Sequence, residues 1–192
     1  MRLSPENKIV GLKGATVGDF WAWAYSNILT NVTRGMFAEF LVGSALSVID
    51  RVPPAGWEEF DLLYDGKKIE VKSSAYIQGW DQNELSVPSF GIAGQGIWDE
   101  TANDWRSERK RASDCYVFCL YAEKKDRNVA NVLNMNKWDF YVVPTRQIDE
   151  TFGAQKTVRL SGIESLTTAV KIEHLKEHVE SVLRENPTKA EG

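Results

Sequence analysis

Apolar positions along the chain fall into a few periodic runs separated by breaks rich in glycine and proline. Thr16–Leu29 (TVGDFWAWAYSNIL) reads as a helix opened by Thr16, with aromatic residues on several of its faces. A second helix is predicted from Asn31 to Ser47. It stops before Pro53-Pro54-Ala55-Gly56, because two prolines and a glycine cannot continue it. Two strands follow, Glu58–Tyr64 and Lys67–Ala75. Residues 76 to 112 give a weaker pattern: a glycine-bearing loop (GIAGQGI) and then a polar stretch, Glu100–Arg111, that reads as helical. Cys115–Ala122 is a continuous apolar run, the pattern of a strand covered on both faces. Asp139–Val143 reads as a strand closed by Pro144, and Thr157–Leu160 as a short one. The last helix, Ala169–Arg184, is amphipathic, with Ile172, Leu175, Val179, Val182 and Leu183 on one face. Helices, then strands, then helices imply a mixed α/β domain over residues 1–186, with 187–192 as a tail.

The hairpin between the first two strands carries unusual charge. Asp65-Gly66 is a two-residue turn signal, since the tight turn needs positive φ. Taken literally, it pairs Tyr64 with Lys67, Leu63 with Lys68, Leu62 with Ile69, and Asp61 with Glu70. A three-residue loop would instead put Asp61 opposite Val71. With a period of two, Glu59, Asp61, Leu63, Lys68, Glu70 and Lys72 share one face, and Phe60, Leu62, Tyr64, Ile69 and Val71 share the core face. Two carboxylates opposite each other destabilise a sheet by up to about 1 kcal/mol. Lys72 offsets this in part, and a divalent cation with a preference for oxygen ligands would offset it further. The second helix reads as buried, with Arg34 and Glu39 as the only charges between Val32 and Ile49. Gly35 and Gly43 flank Glu39 at four-residue spacing, which either opens the space above the carboxylate or lets the helix pack closely while Glu39 pairs with a lysine such as Lys72.

An acid on a first helix, an Asp ending one strand of a hairpin and Glu-x-Lys on the next resemble the PD-(D/E)XK nuclease superfamily, with its restriction-endonuclease-like fold. The residues carrying the resemblance are Glu39, Asp61, Glu70 and Lys72. It implies a core of a helix, three meandering strands, a helix and a further strand: a central mixed sheet flanked by helices, here with extra N- and C-terminal helices. It further implies that Asp61, Glu70 and the Val71 carbonyl hold Mg²⁺, with Mn²⁺ able to substitute. Lys72 then orients or helps deprotonate the attacking water, and Glu39 supports the metal or that lysine. No proline precedes Asp61; Phe60 does. The activity implied is hydrolysis of phosphodiester bonds in DNA. The alternative is an inactive nucleic-acid-binding or assembly module of the same fold.

Composition constrains the partners. The net charge is −4, so DNA binding requires a local basic patch. Arg106, Arg109, Lys110 and Arg111 are the candidate cluster, while Gln78, Ser73 and Ser74 are candidate phosphate contacts beside Lys72. No apolar run reaches the roughly 18 residues that span a bilayer, and the N-terminus lacks a secretory pattern, so a soluble cytoplasmic protein is expected. Cutting both strands of a duplex would suggest a homodimer. Cys115 and Cys119, ~13 Å apart on a strand, read as buried free thiols. His174 and His178, one helical turn apart with Glu177 between them, form a possible zinc pair without an evident third ligand.

Overall fold

The computed structural model describes residues 3–49, 60–99 and 104–185. Two helices open the chain, α1 (Val17–Tyr25) and α2 (Asn31–Ala45). The start of α1 is fixed by a capping box: the Thr16 side chain accepts from the Asp19 N–H, and the Asp19 carboxylate accepts from the Thr16 N–H. Thr30 caps α2 in the same manner through Thr33 N–H. The expected first helix therefore ends earlier than its apolar run, at Tyr25.

The central sheet has four strands, in the order β1 (Leu62–Tyr64), β2 (Lys67–Ala75), β6 (Cys115–Tyr121), β7 (Trp138–Pro144). β1 and β2 form the predicted hairpin with Leu62 opposite Ile69, Leu63 opposite Lys68 and Tyr64 opposite Lys67. Asp65 and Gly66 both adopt positive φ, 48° and 77°, as a tight turn with the twist of the strands demands. β2 and β6 run parallel, and β6 and β7 antiparallel. All seven residues of β6 are buried, because alternate side chains enter two separate cores. Cys115, Val117, Cys119 and Tyr121 pack under α2 and under α5 (Ile172–Glu185). Tyr116, Phe118 and Leu120 pack on the opposite face. Both cysteines are buried and free.

The second core corrects the expectation for residues 76–112. The polar stretch read as helical, Glu100–Arg111, contains the strand β5 (Asp104–Lys110), which pairs with β4 (Gln95–Asp99). β4 begins inside the segment read as a glycine-bearing loop, and that segment's first residue, Gly91, ends β3 (Ser89–Gly91), which pairs antiparallel with β8 (Thr157–Arg159). β3 and β8, with α3 (Thr145–Phe152) and α4 (Leu160–Glu164), cover the charged face of the hairpin. Among the described residues the crossover from β2 to the parallel strand β6 contains no helix, and two strands precede it. It thus departs from the core that the resemblance implied, and the fold shown is the coarser one: a mixed sheet flanked by helices. The beginning of the expected strand Glu58–Tyr64 and the proposed tail at 187–192 lie outside the described residues. Among the described residues no helix is long and apolar enough to cross a membrane.

Two glycines should respond in opposite directions to alanine. A Cβ at Gly35 would meet nothing within 4 Å, whereas one at Gly162 would lie 2.7 Å from Val158 Cγ2. Gly35→Ala removes a helix-interior glycine at no steric cost. It should stabilise by about 1 kcal/mol, raising the melting temperature by about 2–4 °C. Gly162→Ala should destabilise by about 1–3 kcal/mol through overpacking. Thermal unfolding of the two variants checks both signs.

Candidate functional site

β1 ends where the site begins. Its ladder with β2 stops at Leu62; the next residue outward, Asp61, donates its N–H to the Ile69 carbonyl at 3.1 Å. The Asp61 carboxylate then replaces a strand partner, accepting the Val71 N–H at 2.7 Å. A strand residue directs its N–H and C=O to the same neighbour, so the Val71 carbonyl looks toward this same edge of β2, which no described strand pairs beyond Ile69.

Glu70 and Lys72, one step to either side of Val71, lie on the face of the second core, beside Tyr116 and Phe118 of β6. Glu70 is 4% exposed, so the charged face of the hairpin is covered at this position. Lys72 Nζ donates to Glu70 Oε1 and remains 31% exposed, so the pair runs from the interior to the surface. Glu39 arrives from α2, whose Gly43 packs closely on Ile49, where a Cβ would sit 3.3 Å from Ile49 Cδ1, and lies at ordinary contact distance from Leu62 of β1. A Cβ at Gly35 would meet open space.

The three carboxyls share one electrostatic environment. Burial is the largest cause in each case, and it pushes all three above their ordinary range. Glu39 is raised to about 7, with the charges of Asp61 and Glu70 adding to the shift and Lys72 opposing it. For Glu70 the neighbouring Asp61 adds to burial, and Lys72 opposes both. For Asp61 the Val71 hydrogen bond and Lys72 both counteract burial. Among the described residues, one lysine faces these three acids. Among the described residues, no three His, Cys, Asp or Glu side chains converge tightly enough to enclose a metal by themselves. The donors present are two carboxylates, Asp61 and Glu70, and a backbone carbonyl. That set fits a hard cation that keeps part of its shell for water and substrate oxygens, as Mg²⁺ does.

The candidate nucleic-acid contacts fare differently. Ser73 and Ser74 point to opposite faces of β2. Ser74 is buried and its Oγ accepts the Ser89 N–H at 3.2 Å, so of the two serines Ser73 alone retains surface access. Gln78 is also committed inside the protein: its Oε1 accepts from Arg34 at 2.9 Å and its Nε2 donates to the Ala75 carbonyl at 2.8 Å. Arg111 serves as a clamp. Its guanidinium holds Asp149 and the carbonyls of Ile92, Gly153 and Gln155, fastening the C-terminal end of α3. Lys110 is exposed and, with Lys156, borders a cavity of about 230 Å³ beside Arg111. Arg106 and Arg109 belong to β5, with Arg109 opposite Gly96; their side chains lie outside the described residues. His174 is exposed, and the buried Nε2 of His178 has no hydrogen-bond partner among the described residues. Neither histidine joins a metal-binding group there.

Sequence reasoning missed the role of Arg34. It is 3% exposed, and binds the Leu29 carbonyl, Asn31 and Gln78. Burial lowers its pKa to about 10. Its signal was present: a cation in a helix that reads as buried must find acceptors. No protein-family model matches the chain, and a search of curated proteins finds no match to it.

The elevated Glu39 pKa dictates a pH dependence of stability. Between its ordinary value of 4.5 and about 7, the folded protein holds a proton on Glu39 that the unfolded chain releases. The contribution is complete below that window and is lost as pH rises through it. Over the same interval the melting temperature of the wild type should fall more than that of Glu39→Gln, with Asp61 and Glu70 acting in the same direction. Parallel pH profiles for the two proteins would contradict the assignment.

Proposed function

We propose that the chain is a Mg²⁺-dependent nuclease that hydrolyses phosphodiester bonds in DNA, built along the lines of the PD-(D/E)XK nucleases. The observation that carries this reading is the mutual electrostatic coupling of Glu39, Asp61, Glu70 and Lys72 beside the stretch of β2 beyond the described ladder with β1, with three acids and one lysine among the described residues. Surplus negative charge held away from water calls for a cation, and the Asp61 and Glu70 oxygens with the Val71 carbonyl are the groups to hold it. Bound there, Mg²⁺ would polarise a phosphoryl oxygen and lower the pKa of an attached water.

The chain's own residues would perform the rest. Lys72, partly exposed and anchored by Glu70, sits where an ammonium stabilises charge developing on the phosphoryl oxygens. Glu39, with a pKa near neutrality, can take up or release a proton at working pH, the property that general base catalysis requires. Lys110 and Lys156 supply local positive charge for the DNA backbone despite the net charge of −4.

One observation favours a second reading, that of an inactive nucleic-acid-binding or assembly module. Lys72 already satisfies Glu70 directly, and the acids do not enclose an ion unaided.

Two measurements separate the readings. With Mg²⁺ or Mn²⁺, wild-type protein should nick or linearise supercoiled plasmid, and Glu70→Gln and Lys72→Met should each lower the rate at least about 100-fold, the scale of losing one electrostatic stabiliser. Calorimetric titration with Mn²⁺ should show binding that Asp61→Asn abolishes. DNA binding without cleavage in any divalent cation favours the second reading. Absence of cleavage, ion binding and DNA binding together eliminates both.

A further inference from the structure

The first helix poses a problem that the candidate site does not solve. α1 (VGDFWAWAY) has no buried residue. Phe20 is 48%, Trp21 37%, Trp23 81% and Tyr25 42% exposed. A helix of nine residues is too short to persist in water on its own propensity, and helices of this length are held by packing of an apolar face. Its ordered start comes from the capping box and from local bonds such as Val17 N–H to the Asn7 carbonyl and Gly18 N–H to the Pro5 carbonyl. Among the described residues nothing buries its aromatic surface.

A matching surface lies on α2. Val32, Met36 and Phe40 follow one another at four-residue spacing and are 75%, 47% and 50% exposed. They form a single row on the helix, opposite the buried row of Arg34, Ala38 and Leu41. The row is about 12 Å long and α1 about 13 Å, at 1.5 Å per residue. Within one chain α1 leaves this row open, although only residues 26–30 separate the two helices.

We infer that the row Val32–Met36–Phe40 receives α1 of a second copy of this chain, so that two copies exchange their N-terminal arms. The exchange is reciprocal, which makes a closed two-fold dimer with two such contacts. The connector after Tyr25 is anchored at buried Leu29, whose carbonyl accepts from Arg34 at 3.0 Å and from the Gly79 N–H at 3.2 Å. The arm therefore departs from a fixed point. At their observed exposures the seven apolar side chains present on the order of 700 Å², close to the roughly 800 Å² that each partner gives to a standard interface. Charge selects the occupant. Asp19 is the only charged residue of α1, and the α2 row has none. A nucleic-acid surface requires cations, and a helix lying on a membrane displays lysine or arginine; a second apolar protein face requires neither. Glu39 and Gly35 lie on the neighbouring row of α2, so a seated arm would border the approach to the candidate site. The inference does not depend on the nuclease reading.

Light scattering coupled to size exclusion should give twice the chain mass for the wild type. Trp23→Glu and Met36→Glu should each return it to the monomer mass. Both positions are too exposed for the changes to unfold the protomer, and unchanged thermal unfolding of the monomeric forms at matched low concentration would verify this. In the double variant Trp23→Cys, Met36→Cys, oxidation should yield a covalent dimer on a non-reducing gel, since the native thiols are buried. A wild type that is monomeric at every concentration overturns the inference, as does a dimer indifferent to both glutamates. Cross-linking only within single chains also overturns it. So does a monomer that sediments with anionic vesicles, or binds single-stranded DNA, through Trp23.

Discussion

The hydrogen bond from the Val71 N–H to the Asp61 carboxylate is the contact on which the candidate site depends. It marks the point where a strand stops pairing through its backbone and continues through a side chain. In place of a ladder bond the Asp61 side chain takes the Val71 N–H, so one residue both ends the described ladder and lines the edge of β2 beyond it. The same contact, with the nearby Lys72, opposes the rise that burial imposes on the Asp61 pKa.

Burial sets the character of the remaining charges. The face that carries Glu70 and Lys72 would be a solvated surface if the sheet ended with its four strands. β3, from the excursion between β2 and β6, joins β8, α3 and α4, from the chain after β7, to roof it, so Glu70 loses its water while Lys72 still reaches the surface. On the other side, α2 packs on β2 and brings Glu39 within reach of Asp61 and Glu70. The acids consequently come from both sides of one strand, and among the described residues Lys72 is the ammonium that relieves their repulsion. Arg34 illustrates another solution to the same cost. It is a buried cation whose described partners are neutral acceptors, and its contacts join the start of α2 to the end of β2 through Gln78.

Two roles read from sequence as contacts with a ligand became roles in architecture for a common reason. Gln78 and Arg111 sit where strands end and chain segments must be joined, and a long polar side chain there satisfies carbonyls that no ladder reaches. Ser74 does likewise for the N–H of Ser89. Polar residues near a strand end carry the same sequence signature whether they face a phosphate or a neighbouring loop. Only the position of the neighbour distinguishes them.

What the sequence determined by itself were features governed by nearest neighbours: the Asp65-Gly66 turn and its register, the burial of Cys115–Tyr121 on both faces, and the apolar character of α2. Each follows from backbone sterics or from periodicity within a few residues. The tertiary structure alone decided what covers the charged face, that Asp104–Lys110 is a strand and not a helix, and that Arg34 is buried against carbonyl and amide acceptors. A helix is stabilised by contacts four residues apart, but a strand acquires its hydrogen bonds only from a partner, and Gln95–Asp99, with glycines on either side of its start, gave no sign of being one. The energy of a charged group likewise depends on what lies across from it in space. For Glu39, Asp61 and Glu70 that neighbourhood is assembled from a helix and a hairpin separated by tens of residues, so their types were legible in the sequence and their elevated pKa values were not.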